Sequence, residues 1–232
     1  MILRSWEELP AQLQTNAVRP YYETLKKKQG SLIAKRLFDV VVSALMLLVT
    51  SPVFLILTIA IKLDSPGPVF YRQVRVTQYG REFRIFKFRT MVSNADRIGT
   101  QVTVGNDSRI TRMGRLIRKC RLDELSQLID VLRGTMTFVG TRPEVTKYVA
   151  EYTPEMLATL LLPAGVTSLA SIMYKDEDKL LTGVADVDKV YVESVLPEKM
   201  KYNLRAIETF NFWEDIKILF MTVFAVLGKE YR

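Results

Sequence analysis

The residues with the clearest chemical potential lie between Arg109 and Pro143. A ladder of cations, Arg109, Arg112, Arg115, Arg118, Lys119 and Arg121, runs into an adjacent acidic pair, Asp123 and Glu124. Leu122, Leu125, Leu128, Ile129 and Leu132 then recur at the helical period, and Gly134 is a natural stop. The two carboxylates therefore fall in the first turn of a helix. The helix dipole and the preceding basic residues both favour their ionised forms there. An ionised carboxylate among cations can attack, or hold Mg²⁺, beside a polyanion. The plainer reading of the same spacing is a solvated amphipathic helix whose acids complement its dipole.

Composition narrows the chemistry. The 232-residue chain carries a net charge of +8 and contains no histidine, which removes the commonest general base and the commonest metal ligand. Its single cysteine, Cys120, excludes a disulfide framework and a cysteine-rich zinc site and fits a reducing, cytosolic setting. The first 30 residues are polar, and the apolar run comes too late and is too long for an export signal. Residues 65–121 hold thirteen Lys/Arg against Glu82, Asp96 and Asp107. Such a block predicts an acidic partner: headgroups, nucleotide phosphates or nucleic acid.

The elements that position these groups read as three segments. Residues 1–30 mix Trp6, Leu13, Val18, Tyr21, Tyr22 and Leu25 with charges, and read as short surface or interfacial helices. Residues 31–64 contain the uncharged run 40–61, long enough to cross a bilayer. Ser51-Pro52 interrupts it, where proline removes a helix hydrogen bond and kinks the axis. Both flanks are basic, and positive charge marks the cytoplasmic side, so a helix bent at Ser51-Pro52 that enters and leaves by one face satisfies both flanks. A proline-kinked crossing is the alternative. Ser51 is placed to satisfy a carbonyl freed by the break, and Arg36 and Asp39 to pair at the interface.

Residues 65–232 read as a cytosolic domain, the whole being α+β and mostly helical. Asp64-Ser65-Pro66-Gly67-Pro68 ends the membrane segment, and two alternating stretches joined at Gln78-Tyr79-Gly80 predict a small β-hairpin. In its second strand Lys87 and Arg89 alternate with phenylalanines, which is either a phosphate-binding edge or a half-buried hairpin. Residues 153–162 predict an amphipathic helix, 175–199 a solvated acidic surface including Asp176, Glu177 and Asp178, and 210–227 a mostly apolar helix for the core or the interface.

Taken together the chain resembles the bacterial sugar transferase family, the small monotopic phosphoglycosyl transferases that begin glycan assembly on a polyprenol phosphate. The resemblance is carried by KRLFD (35–39), the Ser51-Pro52 break, GPVFYRQVRV (67–76), FRIFKFRTM (83–91), the stretch 109–143 and FWEDIKIL (212–219). It leaves residues 1–30 outside. It implies a re-entrant helix in one leaflet of the bacterial plasma membrane, with the domain on the cytoplasmic face. It implies Asp123 as nucleophile and Mg²⁺ ligand, Glu124 as support for the metal or proton transfer, and Lys87, Arg89, Arg118 and Arg142 as phosphate holders. The implied substrates are a UDP-sugar and a polyprenol phosphate, with a covalent phosphosugar on Asp123 and UMP released.

Three positions depart from that pattern: Thr141 replaces a proline, Arg121 stands where a Ser or Thr often caps the dyad helix, and Ala164-Gly165-Val166-Thr167-Ser168 replaces a Pro-Gly-Ile-Thr-Gly signature. They bear on the sugar side of the pocket more than on the reaction. A homodimer is compatible with a membrane-surface enzyme. Rival readings are a one-step transfer in which the dyad only holds Mg²⁺, a scaffold that binds anionic lipid, and a tethered module that binds RNA or DNA. The last needs aromatic platforms, whereas the phenylalanines at 83–88 read as core, so no nucleic-acid partner is expected.

Overall fold

A computed structural model describes residues 2–93, 95, 107–175, 186–229 and 231. Asp96, Asp176, Glu177 and Asp178 lie outside the described residues. The fold is mostly helical, with one antiparallel strand pair and one long apolar helix near the N-terminus.

Helix α1 (Arg19–Lys27) is followed by α2 (Gln29–Asp64). Pro52 lies inside α2 and cannot donate to the Leu48 carbonyl four residues back. Ser51 Oγ donates to that carbonyl at 2.8 Å, so the side chain before the proline replaces the missing backbone bond. The two ends of α2 are fixed and its middle is not. Lys35, Asp39 and Ser43 are buried near one end, Leu57 and Ile61 near the other, while Leu45, Leu48, Val49, Leu55 and Ile56 between them are exposed.

Arg36 and Asp39 do not pair with each other. Arg36 donates to the Val131 and Leu132 carbonyls, and Asp39 accepts from Thr137 Oγ1 (2.7 Å) and the Phe138 amide (3.2 Å). Buried backbone groups of the domain are stronger claimants for these charges than a pair at a wet interface. Beside them Lys35 Nζ donates to the Val139 carbonyl (2.7 Å) and to Asp215 Oδ2 (2.5 Å).

The expected hairpin forms from β1 (Phe70–Val76) and β2 (Glu82–Phe88), in register Tyr71 with Lys87. The turn is a 3₁₀ segment, Gln78–Gly80, with Tyr79 at φ 62°. Ile85, Phe86 and Phe88 are buried, so the hairpin phenylalanines there belong to the core, and Arg72 covers the ring of Phe86. A second pair, β3 (Met136–Val139) parallel to β4 (Ala164–Thr167), was not expected from the pattern. Four-residue strands give too short an alternation to read.

One face of the N-terminal segment packs into the core: Leu13, Val18, Leu25 and Tyr22 are buried in one cluster with Tyr79, Leu161, Ile207 and Phe210. Its apolar residues therefore serve the domain core, and Lys26 and Lys27 remain exposed. The stretch expected as a helix over 153–162 is a 3₁₀ segment, Met156–Leu161, that leads into β4.

Candidate active site

Four elements converge on the acidic pair. Helix α3 (Arg112–Lys119) carries the cation ladder, with Thr111 capping it through a hydrogen bond from the Gly114 amide. Gly114 lets α3 lie against the exit of β2: a Cβ there would sit 2.0 Å from the Thr90 carbonyl oxygen. Arg118 Nε donates to Thr90 Oγ1 from the last turn of α3.

Arg121 then adopts a left-handed conformation, φ 55°, with no side-chain cap. For a non-glycine residue this costs on the order of 1 kcal/mol or more. It turns the chain sharply into a 3₁₀ helix, Leu122–Gln127, that presents Asp123 and Glu124 in its first turn. Helix α4 (Leu128–Arg133) continues it and ends at Gly134, φ 84°, as the sequence predicts.

Glu124 is the hub of the charged groups. Its carboxylate accepts from Lys87 Nζ on β2 at 3.0 Å and from both terminal nitrogens of Arg142, on the loop after β3. Burial raises the Glu124 carboxyl, but Arg142 and then Lys87 outweigh it and hold the group well below the usual carboxylate range. Lys87 is lowered by its own burial, with Glu124 opposing.

Asp123 is in the opposite situation. No described side chain hydrogen-bonds it, and burial, followed by repulsion from Glu124, raises its carboxyl above the ordinary value, with Lys87 and Arg118 opposing. The cations favour the charged form of Glu124, as expected, whereas burial moves Asp123 the other way because the cations nearest the pair are hydrogen-bonded to its neighbour.

Of the six residues singled out for chemistry, the structure gathers Lys87, Asp123, Glu124 and Arg142, with Arg118 near enough to act on Asp123. Arg89 is engaged elsewhere: its side chain donates to the Pro66, Ile61 and Ser65 carbonyls and to Ser93, closing the end of α2. Carbonyls at and beyond a helix C-terminus lack amide partners from a following turn, and a guanidinium brings several donors to them at once.

Mg²⁺ is compatible with the pair, since that ion is held by one or two carboxylates plus substrate phosphates. Asp123 is open for this role. Glu124 is occupied by two cations, and no group of three acidic, His or Cys ligands occurs among the described residues.

A cleft of about 1050 Å³ opens beside the dyad. Glu124, Arg142, Glu144, Tyr191 and Lys199 line one part, and Val42 and Met46 of α2 line another with Leu219, Val223 and Val226 of α9 (Phe212–Val226), which follows α5 (Thr146–Val149), α6 (Leu169–Met173), α7 (Val187–Val190) and α8 (Leu196–Glu208). Sequence reasoning missed the polar cluster here. Tyr191 donates to Glu144 Oε1 at 2.5 Å and accepts from Lys199 at 2.9 Å, all three being buried. The only signal was Glu144 beside Arg142. The exposed residues of α9 include Trp213, Phe220 and Phe224, continued by Leu227 just past its end, a face suited to a lipid interface.

Comparison with known proteins gives this geometry a family. A model described as "Bacterial sugar transferase" matches residues 30–229. The chain is 35% identical over 212 residues to the UDP-glucose:undecaprenyl-phosphate glucose-1-phosphate transferase of Escherichia coli (strain K12), covering 89% of this chain and 43% of that protein. It is 33% identical over 196 residues to the UDP-N-acetylgalactosamine-undecaprenyl-phosphate N-acetylgalactosaminephosphotransferase of Aeromonas hydrophila, covering 83% and 43%. It thus spans less than half the length of those two. An uncharacterized sugar transferase of Bacillus subtilis (strain 168) is 32% identical over 199 residues, covering 86% of this chain and 90% of that one. The matched region holds the long helix, the hairpin, the dyad helix and the Arg142 loop alike, and the chain belongs to the bacterial sugar transferase family.

Proposed function

We propose that the protein transfers a sugar-1-phosphate from a UDP-sugar to a membrane polyprenol phosphate, through a covalent phosphosugar on Asp123. The observation that carries this reading is the asymmetry of the pair. Glu124 is neutralised by Lys87 and Arg142, while Asp123 takes no side-chain hydrogen bond among the described residues and stays available. The printed activities of the Escherichia coli and Aeromonas relatives support the substrate classes.

In the first step an oxygen of Asp123 forms a bond to the sugar-linked phosphorus, and the bond from that phosphorus to the bridging oxygen breaks as UMP leaves. In the second, an oxygen of the polyprenol phosphate attacks the same phosphorus and Asp123 is released as carboxylate. Both nucleophiles are oxyanions, so no histidine base is needed. Lys87, Arg142 and Arg118 provide positive charge where charge accumulates on the transferring group. Mg²⁺, held by Asp123 with support from Glu124, would add charge neutralisation on the phosphates.

The membrane arrangement belongs to the same proposal. Both ends of α2 are tied to one domain, through Lys35 and Asp39 on one side and Arg89 on the other, with exposed apolar residues and Pro52 between. A helix that enters and leaves by the cytoplasmic face of one leaflet of the bacterial plasma membrane accommodates all three. The apolar part of the cleft, between α2 and α9, then opens where a lipid chain can lead its phosphate toward the dyad.

The test is the intact mass of the lipid-solubilised protein after incubation with Mg²⁺ and UDP-sugars, without acceptor. A gain of one phosphosugar, absent in Asp123→Asn and after chelation, is the expected result. UMP release only in the presence of polyprenol phosphate, with no adduct under any condition, would favour a one-step transfer instead.

A further inference from the structure

Gln127 closes the 3₁₀ helix that carries the dyad. It is 1% exposed and lines the cleft, yet neither its amide nitrogen nor its amide oxygen has a hydrogen-bond partner among the described residues. Buried polar groups are almost always paired, and an apolar side chain of equal length would avoid the desolvation penalty. The amide therefore points to a ligand that completes it. By contrast Glu144, Tyr191 and Lys199 in the same cleft satisfy one another.

Geometry limits what that ligand is. A 3₁₀ helix rises about 2.0 Å per residue, and side chains three apart eclipse. Gln127 thus follows Glu124 on the same face, about 6 Å along the axis. A carboxamide offers donors and an acceptor without charge. Phosphoryl oxygens only accept, and Lys87 and Arg142 already stand ready for them. A ring hydroxyl or an acetamido group both donates and accepts, and it lies one sugar bond beyond the reacting phosphate. The uracil is separated from that phosphorus by a second phosphate and a ribose, beyond the reach of one helical turn.

We propose that Gln127 is a specificity-determining residue that reads the donor sugar, its carboxamide hydrogen-bonding a hydroxyl or acetamido group near the anomeric phosphate. This rests on the UDP-sugar reading above. It also places sugar recognition on the dyad helix itself, so that choosing the sugar and aligning its phosphorus are one event.

The test compares the full chain in lipid nanodiscs with its Gln127→Met and Gln127→Glu variants. UMP release is measured with Mg²⁺, polyprenol phosphate, and UDP-glucose or UDP-N-acetylgalactosamine, alongside inhibition by UDP, which lacks the sugar. Gln127→Met is expected to raise KM for the preferred donor about tenfold and to narrow the preference between donors. Inhibition by UDP is expected to stay within about twofold, and Tm to hold or rise. Gln127→Glu keeps the shape and the acceptor but loses the amide donors, and must also shift donor preference; it decides the matter if the methionine variant does not fold. Unchanged preference in both variants, equal weakening of UDP-sugar and UDP, or a lower Tm with preference intact would each overturn the assignment. If the wild type releases no UMP from either donor, the functional reading fails and takes this inference with it. An active wild type with unmoved preference removes the inference alone.

Discussion

Asp123 and Glu124 are adjacent in the chain and opposite in proton affinity: burial raises the first, and two cations lower the second. Environments that push two neighbouring acids apart assign them different work. Glu124 is an anion that holds Lys87 and Arg142 in place, and Asp123 is the group to which the proposed mechanism gives the attack.

Different variants should therefore fail differently. Asp123→Asn is expected to abolish both turnover and the phosphosugar adduct. Glu124→Gln removes the charge between Lys87 and Arg142, frees both cations for the donor phosphates, and should lower kcat by about 10²–10³ without raising donor KM. Separate measurement of kcat and KM decides. A Glu124→Gln enzyme with normal kcat and a high KM would make Glu124 a substrate-binding group.

Arg89 and Arg142 should separate in the same way. Arg142 faces Glu124 and the cleft, so Arg142→Ala is expected to weaken donor binding about tenfold or more, consistent with loss of a charge-assisted contact. Arg89→Ala removes donors from the Pro66, Ile61 and Ser65 carbonyls and should instead destabilise by about 1–3 kcal/mol, with donor KM in the surviving enzyme near normal. Thermal unfolding and steady-state kinetics on both variants make the comparison. A donor KM that rises for Arg89→Ala with Tm intact would restore Arg89 to the phosphate site.

These two arginines also mark how far the sequence could be read. Periodicity placed the dyad at a helix start and Gly134 at its end, alternation gave the hairpin, and the missing backbone bond at Pro52 was visible because proline acts locally. What sequence hid was partnership across distance. Lys87 lies in β2 and Arg89 just past its end, two residues on, yet one meets Glu124 and the other the end of α2, a choice made by tertiary packing. Tyr191 and Lys199 gave no local signal, since a buried ionic cluster looks like solvated charge until its partners are known. The left-handed Arg121 was seen only as an absent cap.

The proline inside α2 supports a topological prediction. Pro52→Ala restores the amide that Leu48 O lacks, while Ser51→Ala removes the hydroxyl that substitutes for it. Restoring a straight axis should favour a full crossing and detach one anchored end. Single cysteines at position 28 and at position 66, in a Cys120→Ser background, are expected to label from the cytoplasmic side alone in the otherwise native chain. Pro52→Ala is expected to move a fraction of one site to the opposite side. Labelling of position 28 from outside in the native chain would replace the re-entrant reading with a crossing.

The anchor at the other end of that helix can be tested by pairing. Lys35 and Asp215 are 180 residues apart and meet at 2.5 Å with side chains 3% and 14% exposed, and Lys35 also serves the Val139 carbonyl. Removing one member of such a pair strands the other, so Lys35→Met or Asp215→Leu alone should cost about 3–5 kcal/mol. The double variant leaves no uncompensated charge and should recover much of that loss, because desolvation offsets most of what a buried pair contributes. The Val139 carbonyl still loses its donor, so recovery should fall short by about 1 kcal/mol. Thermal unfolding in one lipid composition supplies the cycle, read as a coupling between the two sites. Additive losses in the double variant would show that the two residues act on stability separately, and that the contact does not tie α9 to the entry of α2.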